Sequence, residues 1–290
     1  MRRNSSASPT SALLRQSILG FASILVAGLV VCLPAGCVST PTSGLERMGN
    51  ALVKGEMAVD DSLITLDSRG TVDIEIESFG GSVRIEAVPG MEGTTIEPVR
   101  RAYLGHLRRD EGEQALEQIG YRVEIKGGEL DRETISITSS TEHPEDHFQG
   151  VDFYIRTGDL GAVQVSTARG RVWVKNNTGP VDIETTYGDI RVLTDHPMND
   201  SMVMITKDAS IDYRVPPEST GYYDLRSVGG RVYQRFTDAR VTATSEENGP
   251  SIFMGRIGGG ETPVVLRTTY GDIRVAVVEE PNGVGPIISE

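Results

Sequence analysis

The octapeptide Thr185-Thr186-Tyr187-Gly188-Asp189-Ile190-Arg191-Val192 occurs again, unchanged, as Thr268-Thr269-Tyr270-Gly271-Asp272-Ile273-Arg274-Val275. Identity over eight positions is not expected by chance in a chain of 290 residues, and such self-similarity marks folds built from stacked units. Ser78-Phe79-Gly80-Gly81-Ser82-Val83-Arg84-Ile85 is a degenerate third copy, and Ser227-Val228-Gly229-Gly230-Arg231-Val232 a weaker fourth. In and around the copies, apolar residues alternate with polar ones. Val72, Ile74 and Ile76 alternate with acids; Val163 pairs with Val165, Val172 with Val174 about Trp173, Val181 with Ile183, and Ile190 with Val192 about Arg191. Period two is the signature of strands with one buried face. The last four runs begin nine residues apart, and Gly170, Gly179 and Gly188 keep the same step.

With 33 glycines and only 6% aromatic residues, the chain favours tight turns over long helices. Two all-β folds fit. Each glycine could close an antiparallel hairpin through a type II′ turn, building an antiparallel β-sandwich. Alternatively each marks a corner of a β-solenoid, where successive strands turn onto different faces. Alternation alone does not choose, but the constant nine-residue step favours the solenoid. Gly188, Asp189, Gly271 and Asp272 are then structural turn repeats. Glycine supplies a positive φ, aspartate bonds its own turn, and arginine pairs with acids on neighbouring strands. One stretch breaks the pattern. Asp110-Glu111-Gly112-Glu113 reads as a capping box, followed by Ala115, Leu116 and Ile119 on one helical face and a stop at Gly120. The expectation is one helix over 111–119, between strands near 96–103 and 121–125, with a loop from Ser139 to Gly150.

Met1–Gly36 holds three arginines and no acid, and Ser17–Gly36 is uncharged and mostly apolar. This is how a secretory signal looks. Leu33-Pro34-Ala35-Gly36-Cys37 resembles a bacterial lipobox, with Pro34 where an aliphatic residue is usual. The resemblance implies a thioether-linked diacylglyceryl group on Cys37, with acyl chains of the palmitate kind, and cleavage before it. The expected organisation is a signal peptide over 1–36, a lipid-anchored tether over 37–60 with at most one short helix around Leu45–Lys54, a strand-repeat domain over 61–277 and a tail over 278–290. Cys32 and Cys37 are the only cysteines, so no disulfide framework is expected. Loss of 1–36 would take the net charge from −13 to −16. An acidic chain lacks the basic face that nucleic acid requires, so no nucleic-acid partner is expected.

Chemistry-bearing motifs are few. His143-Pro144-Glu145-Asp146-His147 is the one histidine–carboxylate cluster, and Pro144 spoils the helical spacing that would aim both imidazoles at one metal. It reads as a solvated acidic loop, and His106 and His196 are isolated. There is no Gly-x-Ser-x-Gly elbow. Gly255-Arg256-Ile257-Gly258-Gly259-Gly260 has no lysine–hydroxyl pair after it to make a phosphate loop, and reads as a turn. No catalytic residue, metal or cofactor is assigned. A polysaccharide lyase or hydrolase using Asp189, Arg191, Asp272 and Arg274 on an exposed face is the enzymatic alternative. Repetition favours structure, because every corner needs its turn residues whereas an active site is needed once.

The tract from Gly258-Gly259-Gly260 through Val264-Val265-Leu266-Arg267 to the second octapeptide, with the short helix near Glu113–Ile119, resembles the bacterial putative-adhesin family, built on a β-strand-repeat domain of unknown function. The resemblance covers about Asp61–Val277. It implies a right-handed β-helix-like fold on a cell-envelope protein, with no catalytic residue to carry over. The expected role is therefore a non-enzymatic lipoprotein, exported and held on a bacterial membrane by its lipid anchor, offering a surface to envelope proteins or glycans.

Overall fold

A computed structural model describes residues 56–103, 109–127, 131–143, 148–237 and 239–283. The expected signal segment 1–36, Cys37, the helix around 45–54, His106 and Pro144–His147 lie outside the described residues.

The described chain is all-β apart from one helix, α1 (Arg109–Glu117). The first of two ten-stranded sheets runs in the order β1 (Glu56–Asp60), β5 (Thr94–Tyr103), β8 (Gln149–Thr157), β4 (Val83–Ala87), β10 (Val172–Lys175), β12 (Ile190–Leu193), β14 (Ile211–Val215), β20 (Ile273–Val277), β16 (Val232–Phe236), with β2 (Ile64–Leu66) also on β5. The second runs β17 (Val241–Ala243), β18 (Ile252–Ile257), β15 (Gly221–Ser227), β19 (Pro263–Thr268), β13 (Met202–Thr206), β11 (Val181–Tyr187), β9 (Asp159–Arg169), β3 (Thr71–Ser78), β7 (Arg132–Ser140), β6 (Gly120–Lys126). Glu56–Asp60, the end of the expected tether, is thus a strand, antiparallel to β5.

The nine-residue step carries the chain from one sheet to the other, and strands eighteen residues apart pair in parallel. Val163 lies opposite Val181 in the second sheet, and Val172 opposite Ile190 in the first. The strands flanking Gly188 are therefore not each other's partners, as a two-residue hairpin would require. β11 pairs with β9 and β13, and β12 with β10 and β14, all in parallel.

Taking one strand from each sheet as a layer, the spatial order is β7/β8, β3/β4, β9/β10, β11/β12, β13/β14, β19/β20, β15/β16. This is not the chain order. The layer β19/β20 is inserted between two earlier ones, and at the other end the earliest layer, β3/β4, lies between two later ones. Antiparallel strands close the outer layers: β6 on β7, β5 on β8 and β18 on β15.

Alternation predicts the buried face correctly. Val163, Val181, Met202, Val264 and Tyr223 form one register column, and Ile85, Val174, Val192, Tyr213 and Val275 another. All are buried in a single apolar cluster drawn from both sheets. Each such side chain contributes about 1.5–3 kcal/mol of burial. β9 begins at Asp159 rather than 163, because a bulge sets Leu160 against Val72 and Val163 against Ile74.

Helix α1 is displaced from its expected bounds. It includes Arg109 and Asp110, so Asp110 is not its cap, and it ends at Glu117 before Gly120 opens β6. The early end has a cause in the first sheet. Arg100 Nη1 donates to the Leu116 carbonyl (3.1 Å) and Gln149 Nε2 to that of Ala115 (3.1 Å), satisfying carbonyls that another turn of helix would otherwise engage. The loop expected over 139–150 is shorter, since Ser139 and Ser140 extend β7 while Gln149 and Gly150 open β8. No helix among the described residues is long and apolar enough to cross a membrane.

Candidate binding face and the corner repeats

The crossings after β3, β9, β11, β15 and β19 pass through a glycine packed on a neighbouring layer's main chain. A Cβ on Gly188 would stand 1.9 Å from the Gly170 carbonyl oxygen, one on Gly170 1.9 Å from that of Gly81, and one on Gly230 2.0 Å from that of Gly271. Gly271 stands in the same relation to the Ala209 carbonyl oxygen, at 2.0 Å. Gly81 and Gly170 have positive φ (110° and 118°), but Gly188 and Gly271 do not. The expectation of a left-handed corner at those two positions is not met. Layer-to-layer crowding selects glycine there, not backbone handedness.

The aspartates also act between layers rather than within their own turns. Asp189 Oδ1 accepts the Ser210 amide (3.0 Å), Asp272 Oδ1 the Arg231 amide (3.0 Å), and Asp152 Oδ1 the Ser82 amide (2.7 Å). Arg191 pairs with Asp212 on the neighbouring strand as expected (3.3 Å), whereas Arg274 pairs with Asp272 of its own corner (2.9 Å).

Sequence reasoning missed a column of buried hydroxyls beneath these corners. Ser78, Thr167, Thr185, Thr206, Thr268 and Ser227 are in register across six strands, all buried. Three of them donate to a corner carbonyl of the adjoining layer: Thr206 to Gly188 (3.3 Å), Thr268 to Ala209 (2.7 Å) and Ser227 to Gly271 (2.7 Å). The signal was present. A Ser or Thr stands three residues before each of Gly81, Gly170, Gly188, Ala209, Gly230 and Gly271.

On the outward face of the first sheet the register aligns Tyr154, Arg84, Trp173, Arg191, Asp212, Arg274 and Tyr233, one from each of seven adjacent strands. Along part of this row lies an open groove of about 500 Å³, lined by Tyr154, Arg84, Arg171, Trp173, Asp189, Arg191, Asp212 and Arg274 among others. The Arg84 guanidinium carbon sits 4.0 Å from the Trp173 ring centroid, and that of Arg274 5.8 Å from Tyr233, distances at which cation–π attraction operates. Asp212 is buried and receives Arg214 through both oxygens (2.9 and 2.8 Å). In the neighbouring row Lys175 Nζ bonds Glu86 (2.9 Å). That bond, opposed by partial burial, holds the Glu86 carboxyl below its usual range.

Other residues singled out in the sequence do not join this face. His196 is exposed, the His143 amide bonds its neighbour Thr141, and Gly258 and Gly259 form a positive-φ turn between β18 and β19. In the expected tail, Val278 is buried, and Asn282 Nδ2 bonds Asn176 (2.8 Å) and Asp195 (2.5 Å). These bonds tie it to the residues that follow β10 and β12.

No family model and no curated protein matches the chain. Solved structures do. One, described as a putative cell adhesion protein from Clostridium sporogenes, is 9% identical with a TM-score of 0.50, over 76% of this chain and 98% of that one. A putative adhesin from Bacteroides fragilis is 11% identical at a TM-score of 0.27, over 76% and 96%. One from Parabacteroides distasonis is 8% identical at 0.20, over 77% and 97%. Of these three, the first supports a shared fold; at such identity it speaks to fold alone.

Proposed function

We propose that this is a non-enzymatic, lipid-tethered envelope protein whose β-helix-like body offers its outer face to glycans or proteins of the cell surface. The observation that carries the reading is the seven-residue row from Tyr154 to Tyr233. Polar and aromatic side chains set in line on a backbone this crowded are already ordered, which lowers the entropy cost of binding. The description of the Clostridium structure as a putative cell adhesion protein agrees with this role. The non-enzymatic part draws support from Asp189 and Asp272, which serve backbone amides in matching fashion. Tethering rests on Ala35-Gly36-Cys37 at the end of the apolar segment.

The test has two arms. A fatty-acid probe should label the wild-type chain in cells and leave Cys37→Ala unlabelled; equal labelling would remove the anchor. Purified full chain should bind immobilised envelope polysaccharide or envelope protein without depolymerising acidic or neutral polysaccharides. Depolymerisation abolished by Asp189→Ala and untouched by Asp272→Ala would replace the binding role with an enzymatic one.

A further inference from the structure

We infer that the groove on the first sheet takes a carboxylated saccharide of the uronate kind. This deepens the binding role proposed above and rests on it. Three features of the groove converge.

The first is charge. The chain carries a net −13, yet Arg84, Arg171, Arg191 and Arg274 line the groove against Asp189 and Asp212. Both aspartates are engaged, Asp212 by Arg214 and Arg191 and Asp189 by the Ser210 amide. The Arg171 side chain is exposed and has no hydrogen-bond or ion-pair partner among the described residues. Arg84 meets only a half-claimed acid, since Glu86 is bonded at 2.9 Å by Lys175 and lies 3.4 Å from Arg84. Positive charge is thus left over in one place on an acidic protein.

The second is the chemistry of the donors. A guanidinium presents a planar fork that matches a carboxylate with two parallel N–H···O bonds. The Trp173 ring lies over the face of Arg84, and apart from the long Nη2 bond to Glu86 (3.4 Å) its in-plane N–H groups are left for a ligand. The indole and the Tyr154 ring supply flat apolar surface of the sort a sugar's C–H face covers.

The third is spacing. Arg84 and Arg191 flank Trp173 on the two neighbouring strands, about 10 Å apart at two strand spacings. Arg274 extends the same row two strands further. A linear saccharide lying across the strands would meet an arginine, an aromatic platform and an arginine in turn. Such an array suits acids repeated along a chain better than a single small anion. A longer polyanion such as nucleic acid would meet the acidic remainder of the surface and be repelled.

Trp173 is the only tryptophan in the chain, so its fluorescence reports on this groove alone. Full chain in detergent would be titrated with trigalacturonate, galactotriose and a short single-stranded DNA. Trigalacturonate should produce a saturable change that weakens as salt is raised, and galactotriose none. Arg171→Gln should weaken trigalacturonate binding about tenfold, the loss of one charge-assisted pair, with an unchanged melting temperature. Arg84→Gln should weaken it similarly. No response, an equal response to galactotriose, tighter binding of the DNA, or wild-type affinity in Arg171→Gln would each overturn the inference. A chain that binds immobilised envelope polysaccharide yet ignores trigalacturonate loses this inference and keeps the binding role. A chain that binds neither envelope material nor trigalacturonate loses both.

Discussion

Gly188 and Gly170 meet main chain to main chain: a Cβ on Gly188 would lie 1.9 Å from the Gly170 carbonyl oxygen. No rotamer change relieves such a clash, because the obstacle is backbone. Gly188→Ala and Gly271→Ala should each cost ~3 kcal/mol or more, by overpacking that the stack cannot absorb. Gly259→Ala is the control. Its φ is +77° with nothing within 4 Å, so strain alone should cost about 1 kcal/mol. Urea midpoints compare the three; equal losses would show that crowding does not select glycine at the corners.

Asp189→Ala and Asp272→Ala should each remove a charge-assisted bond to a backbone amide, Asp272→Ala also the exposed Arg274 pair, and each cost roughly 1–3 kcal/mol. Asparagine keeps an acceptor oxygen and should restore much of the loss at both positions. Chemical denaturation of the four variants checks this. A loss several times larger at one corner than the other would show that the two corners are not equivalent.

What could be read in the sequence divides along the distance between interacting groups. The inward pair Val181 and Ile183 was legible because period two is local. The corners at Gly81 and Gly230 were legible as weak copies of Gly188 and Gly271, since one packing problem recurs in each layer. Pairing was not legible. The two identical octapeptides give β11/β12 and β19/β20 the same pattern, yet β13/β14 lies between them with Thr206, Ala209 and Ser210 at the equivalent points. Nothing local announces that neighbour. The row from Tyr154 to Tyr233 was hidden for the same reason, because its members are gathered by register from seven separate segments.

Tyr213 and Tyr223 predict an alkaline limit to stability. Their rings lie 6.4 Å apart in the core, and neither hydroxyl meets a partner of normal hydrogen-bond geometry among the described residues. Burial raises both phenol pKa values well above the ordinary one. Unfolded tyrosines ionise near 10, so above that pH the unfolded state releases protons that the folded state keeps. Stability is then intact below about pH 10 and falls as pH rises past it. Replacing both with phenylalanine should flatten that fall, as read by thermal melts at about pH 8 and about pH 11. A fall as steep as wild type would assign it to other groups.

Asp224 sets a limit at the acid end. Its bonds to Arg267 and then Arg226 outweigh partial burial and hold its carboxyl below the usual range. A lowered folded pKa gives stability that is present above the ordinary carboxylate value of about 3.9 and is lost as pH falls through the folded one. Asp224→Asn should therefore be less stable than wild type at neutral pH and approach it in acid. A difference that persists unchanged at low pH would place the effect in packing.

The position of β19/β20 inside the stack also dictates an order of assembly. β13 and β15 have no edge in common; each pairs with β19, which follows them in the chain by more than thirty residues. Until the segment beginning at Pro263 is available, β15/β16 has no parallel neighbour to build on and the stack stops at β13/β14. The segment 263–277 acts as a keystone, and without it the stack loses two layers rather than one. Closure of this end depends on pairing between segments far apart in sequence, the kind of step that sets slow folding.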